Sequence, residues 1–272
     1  MRRRTLLLAG AKYLFAGGMI ASALAVASPA VRADGMAPRG AAPLPVADWS
    51  GFYVGTQAGF TWSQIDGAFS NGGSGTFSLD HDTEVGWGLM LGLQHQIGGV
   101  VLGIEGNWLS MIANKPGSTI CPNTTLSCTS RIDDILSAGG RLGWSMGHWM
   151  PYISGGYASS SFSYRANTRA AIVGPPAIAA ATGVEDGRTR NDGWYIGGGF
   201  DMVVAPGWTT GIEYRHYDFG NASTTTFSTG VAGTPQGTPI EGLTQNATVD
   251  TIALRLTYKW DIPGRYATAP LK

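Results

Sequence analysis

The sequence predicts an all-β protein, an eight-stranded antiparallel up-and-down transmembrane β-barrel. Three observations carry this. Segments of about ten residues alternate large apolar with small polar residues, and the pattern recurs eight times, as for strands with lipid on one side and a polar lumen on the other. The connections between them alternate between short turns and long polar stretches. All nine tryptophans fall at or next to segment ends, where an apolar ring with a polar N–H suits a membrane–water interface.

Composition agrees. Charged residues are 13% of the 272-residue chain, about half the share in a soluble domain. The 41 glycines disfavour helices, each costing about 1 kcal/mol relative to alanine. There is no basic surplus to suggest nucleic acid.

The elements follow in order. Residues 1–33 carry Arg2, Arg3 and Arg4, then an apolar stretch from Tyr13 to Val26, then Val31-Arg32-Ala33. This reads as a secretory signal peptide cleaved after Ala33. Its loss removes five bases and no acids, leaving 13 bases against 18 acids. Residues 34–47 are rich in Pro, Ala and Gly and read as a flexible periplasmic lead. The barrel is expected over 48–260. Its first strand, 51–62, sets Phe52, Val54, Thr56, Ala58, Phe60 and Trp62 against Tyr53, Gly55, Gln57, Gly59 and Thr61. The others are expected at 84–97, 100–109, 132–144, 149–164, 194–204, 208–218 and 248–260. Tight turns fall at 97–100, 145–149 and 205–208. Long loops are expected at 63–83, 110–131, 165–193 and 219–247. Residues 261–272 read as a periplasmic tail.

Short turns belong to the periplasm and long loops to the outside. That order puts Trp49, Trp144, Trp149, Trp208 and Trp260 in a periplasmic girdle, and Trp62, Trp87, Trp108 and Trp194 in an outer one. Glu105, Arg141, Asp201, Glu213, Arg215 and Arg255 sit mid-strand on the polar face. An arginine facing lipid at the midplane would cost about 2–4 kcal/mol. Facing inward, three acids and three bases can pair. Eight strands leave an interior just wide enough for side chains, so the six read as a polar plug. A charged constriction in a narrow pore is the alternative.

"WSGFYVGTQAGFTW" (49–62), "GGRLGW" (139–144), "WYIGGGFDM" (194–202), "IEYRHYDFG" (212–220) and "LRLTYKW" (254–260) resemble the small outer-membrane β-barrel proteins of alphaproteobacteria. These are the porin-like or surface-antigen proteins, related to opacity-type and OmpA-like transmembrane domains. The resemblance spans about residues 48–260. It implies a location in the outer membrane, a role in envelope integrity and surface exposure, and no catalytic set. Some members are credited with haem binding or weak pore activity. The implied partners are outer-membrane lipid and lipopolysaccharide, the barrel-assembly machinery, and a host or surface ligand at the loops. One departure is at the end. Family members usually stop at the last strand on an aromatic residue, whereas twelve residues follow Trp260 here.

Other chemistry is sparse. Cys121 and Cys128, the only cysteines, suggest a disulfide in an exported chain. His81, His95, His148 and His216 share no ligand spacing, and zinc needs three or four ligands, so neither a metal nor a cofactor is expected. His81 between Asp80 and Asp82 leaves haem or metal capture as an alternative to a solvated loop histidine. Lipid A deacylase barrels carry a His and a Ser two apart. Here Asp218 stands two after His216, and a carboxylate is no substitute for an activated hydroxyl, so no catalytic residue is assigned and no enzyme is expected.

Overall fold

The computed structural model describes residues 47–70, 75–112, 117–123, 125–171, 177–180, 182–231 and 233–260, without the side chains at 80–82 and 117. The expected signal peptide, all but the last residue of the lead, and the tail at 261–272 lie outside the described residues. Nine strands follow in order: β1 (Gly51–Phe69), β2 (Gly75–Ile97), β3 (Val100–Met111), β4 (Gly117–Ile120), β5 (Leu126–Trp144), β6 (Trp149–Thr168), β7 (Gly183–Ala205), β8 (Trp208–Ser228) and β9 (Pro239–Trp260). No described residue is helical.

All pairings are antiparallel. β1 pairs with β9, joining the two ends of the barrel, and β3 pairs with β5. The sheet therefore closes into eight staves. β4 shares a stave with β3, since β5 pairs its residues 134–144 with β3 and 127–130 with β4. The three tight turns carry Gly98, Gly147 and Gly207 at φ of 62°, 75° and 76°, a left-handed conformation that costs other residues about 1–2 kcal/mol.

The structure corrects the expected loops. Most of 63–83, 110–131, 165–193 and 219–247 continues the strands. The reason is an inversion of polarity. Near the short turns, the apolar residues face outward: Val85, Trp87, Leu89, Leu91 and Leu93 are exposed. Toward the long hairpins they face inward: Ile65, Phe69, Phe77 and Leu79 are buried, as in a barrel surrounded by water. In β2 the apolar residues other than the inward-facing Met90 are all odd-numbered. One extra residue, where Thr61↔Glu84 gives way to Ser63↔His81, carries them from the outer face to the inner. β5 gains an extra residue at Ile132/Asp134 and β8 at Asp218/Asn221. Such bulges reset which side chains face the lumen.

The lumen is filled in three layers. At the short-turn mouth Trp49, Val101 and Met150 pack with Ala47 and Val203. The charged side chains lie above them. Beyond these, a large apolar cluster runs from Leu109 and Ile135 up to Phe69, Phe162 and Phe219.

The structure also corrects Trp49. Its indole is 2% exposed and lies inside the mouth, with Nε1 donating to the Gly147 carbonyl at 3.2 Å. Its backbone N–H donates to Gln96 Oε1 at 2.9 Å. Trp49 precedes β1, so no pleat fixes its side. Asp48 accepts the Ser50 N–H at 2.8 Å. Lys259 Nζ donates to the carbonyls of Asp48 and Ser50 at 2.5 and 3.1 Å, which turns the segment across the opening. Trp62, Trp87, Trp144, Trp149, Trp194, Trp208 and Trp260 are exposed on the outer surface. Trp108 is half-buried against Trp87, ring centroids 5.3 Å apart.

Candidate functional site

The site is the charged layer of the lumen. Glu105 comes from β3, Arg141 from β5, Asp201 from β7, Glu213 and Arg215 from β8, and Arg255 from β9. Alternation aims each inward, and the structure brings all six into one connected network. Arg255 is its centre. It donates to Glu105 Oε2 and to Glu213 Oε2, each at 2.5 Å, and to Glu105 Oε1 at 3.3 Å. Arg215 donates to the other oxygen of Glu105, and its Nε lies 2.9 Å from Glu213 Oε1. Arg141 pairs with Asp201 and stands 4.0 Å from Glu105 Oε2. Three carboxylates thus face three guanidiniums, all with side chains at most 5% exposed.

Residues that the charge pattern alone did not single out complete the layer. The Tyr53 hydroxyl donates to Glu105 Oε2 at 2.6 Å. Ser154 donates to Glu213 at 3.2 Å, and Arg215 donates to Ser137 at 3.3 Å. The Arg141 guanidinium lies 3.6 Å from the Tyr152 ring centroid, close enough for a cation–π contact. Gln57 of β1 donates to Asn107 of β3 at 3.0 Å, over β2 between them. The sequence did hold a signal for Tyr53, the large residue on a face of β1 that otherwise carries Gly55, Gln57, Gly59 and Thr61. Tyr53 and Tyr152 each lie across a glycine of the next strand. Tyr53 is paired with Gly92 and Tyr152 with Gly199. A Cβ at Gly92 would meet the Tyr53 ring at 2.3 Å, and one at Gly199 the Tyr152 hydroxyl at 2.5 Å.

The remaining candidates lie apart from this network. Cys121 and Cys128 form a disulfide inside the apolar layer, where the Tyr164 hydroxyl donates to Cys128 Sγ at 3.2 Å. His216 faces outward. Its Nδ1 is 2.8 Å from Asp250 Oδ1, which also accepts the Tyr214 hydroxyl at 2.6 Å. Asp218 accepts the Gly220 N–H at 2.9 Å, a role in the β8 bulge. The His81 side chain lies outside the described residues. Among the described residues no group of three or more His, Cys, Asp or Glu side chains is placed to hold a metal ion.

The barrel wall, the outward apolar band and the inward charges together describe a membrane-spanning barrel. A family model for the outer membrane protein beta-barrel domain matches residues 19–234. The chain belongs to this family. As an outer-membrane barrel its short turns face the periplasm and its long hairpins the outside, so Trp49 closes the periplasmic mouth and the apolar layer stands toward the exterior. No curated protein matches the sequence. Among solved structures, the outer membrane protease OmpT of Escherichia coli is similar at 8% identity, covering 77% of this chain and 97% of that one, with a TM-score of 0.46. The outer membrane protein OprG of Pseudomonas aeruginosa is similar at 11% identity, covering 78% and 97%, with a TM-score of 0.39. Ail, the attachment invasion locus protein of Yersinia pestis, is similar at 9% identity, covering 78% and 99%, with a TM-score of 0.37.

In this outer-membrane barrel the charged layer does two things chemically. It satisfies every ionised group with a partner of opposite sign, which a low-dielectric interior requires. It also ties β1, β3, β5, β7, β8 and β9 across the lumen. Above the layer the barrel continues well past the outer tryptophans. β8 runs ten residues beyond Asp218, which pairs with Trp194. At about 3.3 Å per residue and a tilt of about 40°, the hairpin rises about 25 Å.

Proposed function

We propose that this outer-membrane barrel is a structural and surface-exposed envelope protein, of the porin-like surface-antigen type that the sequence resembles, and that it neither conducts nor catalyses. One observation carries the reading: among the described residues, buried side chains fill the lumen in three successive layers. These are the Trp49 cluster, the six-charge network and the apolar layer. A transport path would need a hydrated channel through them. The tall hairpins then present polar strand faces and tips to the outside, where a host or surface ligand can meet them. Outer-membrane lipid and lipopolysaccharide surround the tryptophan rings, and the barrel-assembly machinery inserts the chain.

The test is surface display. A short epitope inserted at the β8–β9 hairpin, between Pro235 and Gln236, is expected to bind antibody on intact cells. Loss of the protein is expected to raise sensitivity to detergent. An epitope reached only after permeabilisation, with unchanged detergent tolerance in the deletion strain, overturns the proposal.

A further inference from the structure

The outer wall shares its charges unevenly. Beyond the outer tryptophans, every described Lys or Arg side chain lies on β5, β6 or β7 or directly after β6: Arg131, Arg165, Arg169, Arg188 and Arg190. On β8, β9, β1 and β2 the outward residues of the extension include Asn221, Ser223, Thr244, Asn246, Gln64 and Asp66. Among the described residues of those strands there, none is Lys or Arg.

Strand pairing gathers four of the arginines around one serine. Ser163 of β6 stands between Arg131 of β5 and Arg188 of β7. Two residues to either side of it on β6, Ser161 is opposite Arg190, and Arg165 is opposite Asp186. The nearest acids are largely taken. Asp133 is ion-paired with Arg131 at 2.9 Å and accepts the Ser163 hydroxyl at 2.5 Å. Asp192, next to Arg190 on the outer face of β7, accepts the Tyr157 hydroxyl at 2.6 Å. Asp134 and Asp186 stand in the same rows as Arg190 and Arg165. Yet Arg165, Arg188 and Arg190 are exposed, and none of the three is ion-paired among the described residues. Three guanidiniums are thus left for an anion from outside the barrel.

Their height says which anion. Along β7, Arg190 and Arg188 lie four and six residues beyond Trp194. At about 3.3 Å per residue and a tilt of about 40°, they stand about 10 and 15 Å above the outer tryptophans. Interfacial tryptophans mark the headgroup level, so the patch lies among the phosphorylated sugars of the outer leaflet, above its acyl chains. It faces sideways from the wall and meets the surrounding lipid before anything that arrives from outside. A guanidinium fork matches two oxygens of a phosphate. We propose that Arg165, Arg188 and Arg190 bind phosphate groups of lipopolysaccharide and fix one such molecule on the β6–β7 wall. This rests on the envelope reading above and names the side chains through which the barrel holds its leaflet.

The test is binding of the folded full chain in detergent to three probes: lipopolysaccharide with a phosphorylated inner core, the same lipopolysaccharide after dephosphorylation, and heparin. R165Q/R188Q/R190Q replaces exposed, outward side chains, and a heat-modifiable gel shift checks that it folds. It is expected to bind the phosphorylated form about 10-fold more weakly than wild type, from three exposed charge contacts of modest strength each. The two proteins are expected to bind the dephosphorylated form equally. Equal affinity of both proteins for the phosphorylated form overturns the site. So does tighter, arginine-dependent binding of heparin, which assigns the patch to a sulfated glycan. Surface display is read at the β8–β9 hairpin, on another wall. A displayed epitope without arginine dependence therefore sinks this site alone, whereas a hidden epitope sinks the envelope reading.

Discussion

Arg255 is the residue whose loss the charged layer can least absorb. It is 1% exposed and reaches two carboxylates, Glu105 and Glu213. Arg255→Met keeps most of the side-chain length and removes the charge. Three carboxylates are then left with two guanidiniums. A hydrogen bond to a charged group contributes about 1.5–3 kcal/mol, but the bonds of Arg255 share acceptors and do not add. The measured cost of breaking a buried pair by removing one partner, about 3–5 kcal/mol, is the better guide. R255M is therefore expected to lose about 3–5 kcal/mol in equilibrium unfolding by guanidinium chloride, followed by tryptophan fluorescence in lipid vesicles. The double variant R255M/E213Q restores two charges of each sign. It is expected to cost less than the sum of the two single variants by about 1–3 kcal/mol, a coupling of the size found between contacting residues. A loss below about 1 kcal/mol in R255M, or a double variant that costs the plain sum of the two singles, refutes the view of these charges as one balanced unit.

Other expectations concern the layers on either side. Trp49 is shielded from both lipid and water, so W49F should leave quenching by brominated lipid chains unchanged, while W208F should reduce it. Reduced quenching in W49F would return Trp49 to the lipid-facing ring. Ala at Gly92 puts a Cβ into the Tyr53 ring and should destabilise the barrel by about 1–3 kcal/mol, the usual cost of overpacking, with Y53F/G92A no better because the ring remains. Wild-type stability in G92A would mean that the ring is free to move. In the outer extension, burial pushes the Glu185 carboxyl above the ordinary carboxylate range, with a partial offset from its bond to Thr226. The folded state then holds that proton more tightly than the unfolded state. Its destabilising effect is present at neutral pH and fades as pH falls through the raised value toward the ordinary value near about 4. E185Q should therefore slow exchange of the β7–β8 hairpin amides at pH 7 and match wild type below about pH 4. A variant that exchanges faster at pH 7 contradicts the sign.

How far the sequence disclosed this structure depends on height in the barrel. Within the membrane, lipid demands an apolar exterior and leaves the polar residues for the lumen. There Leu89 to Leu93 on one face and Glu105 or Arg255 on the other are legible without coordinates. Above the outer tryptophans, water takes the place of lipid and the demand reverses. Ile65, Phe69, Phe77 and Leu79 now point inward, and a search for outward apolar residues reads the same segments as loop. The bulge at 81–84 hides the reversal further, because its extra residue lets Phe77 and Leu79 share the odd parity of Val85 to Leu93 while the face changes. Trp49 was illegible for another reason. It lies outside any strand, so its side is set by Gln96, Gly147 and Lys259, which are distant in sequence. Tyr53 was within reach, since it breaks an otherwise small, polar face of β1 opposite Gly92, whereas Tyr152 shares its face with Met150, Phe162 and Tyr164 and does not stand out.

The claim on which the account turns is that the lumen is closed. Single-channel recording of the folded protein in a planar bilayer measures this directly, once a heat-modifiable gel shift has established that the barrel is formed. The account expects a silent membrane, for wild type and for W49A alike, because the charged and apolar layers remain above the periplasmic mouth. Discrete, reproducible conductance steps in the wild-type protein, with an ion selectivity altered by Glu105→Gln, would contradict it and make the six charges a filter.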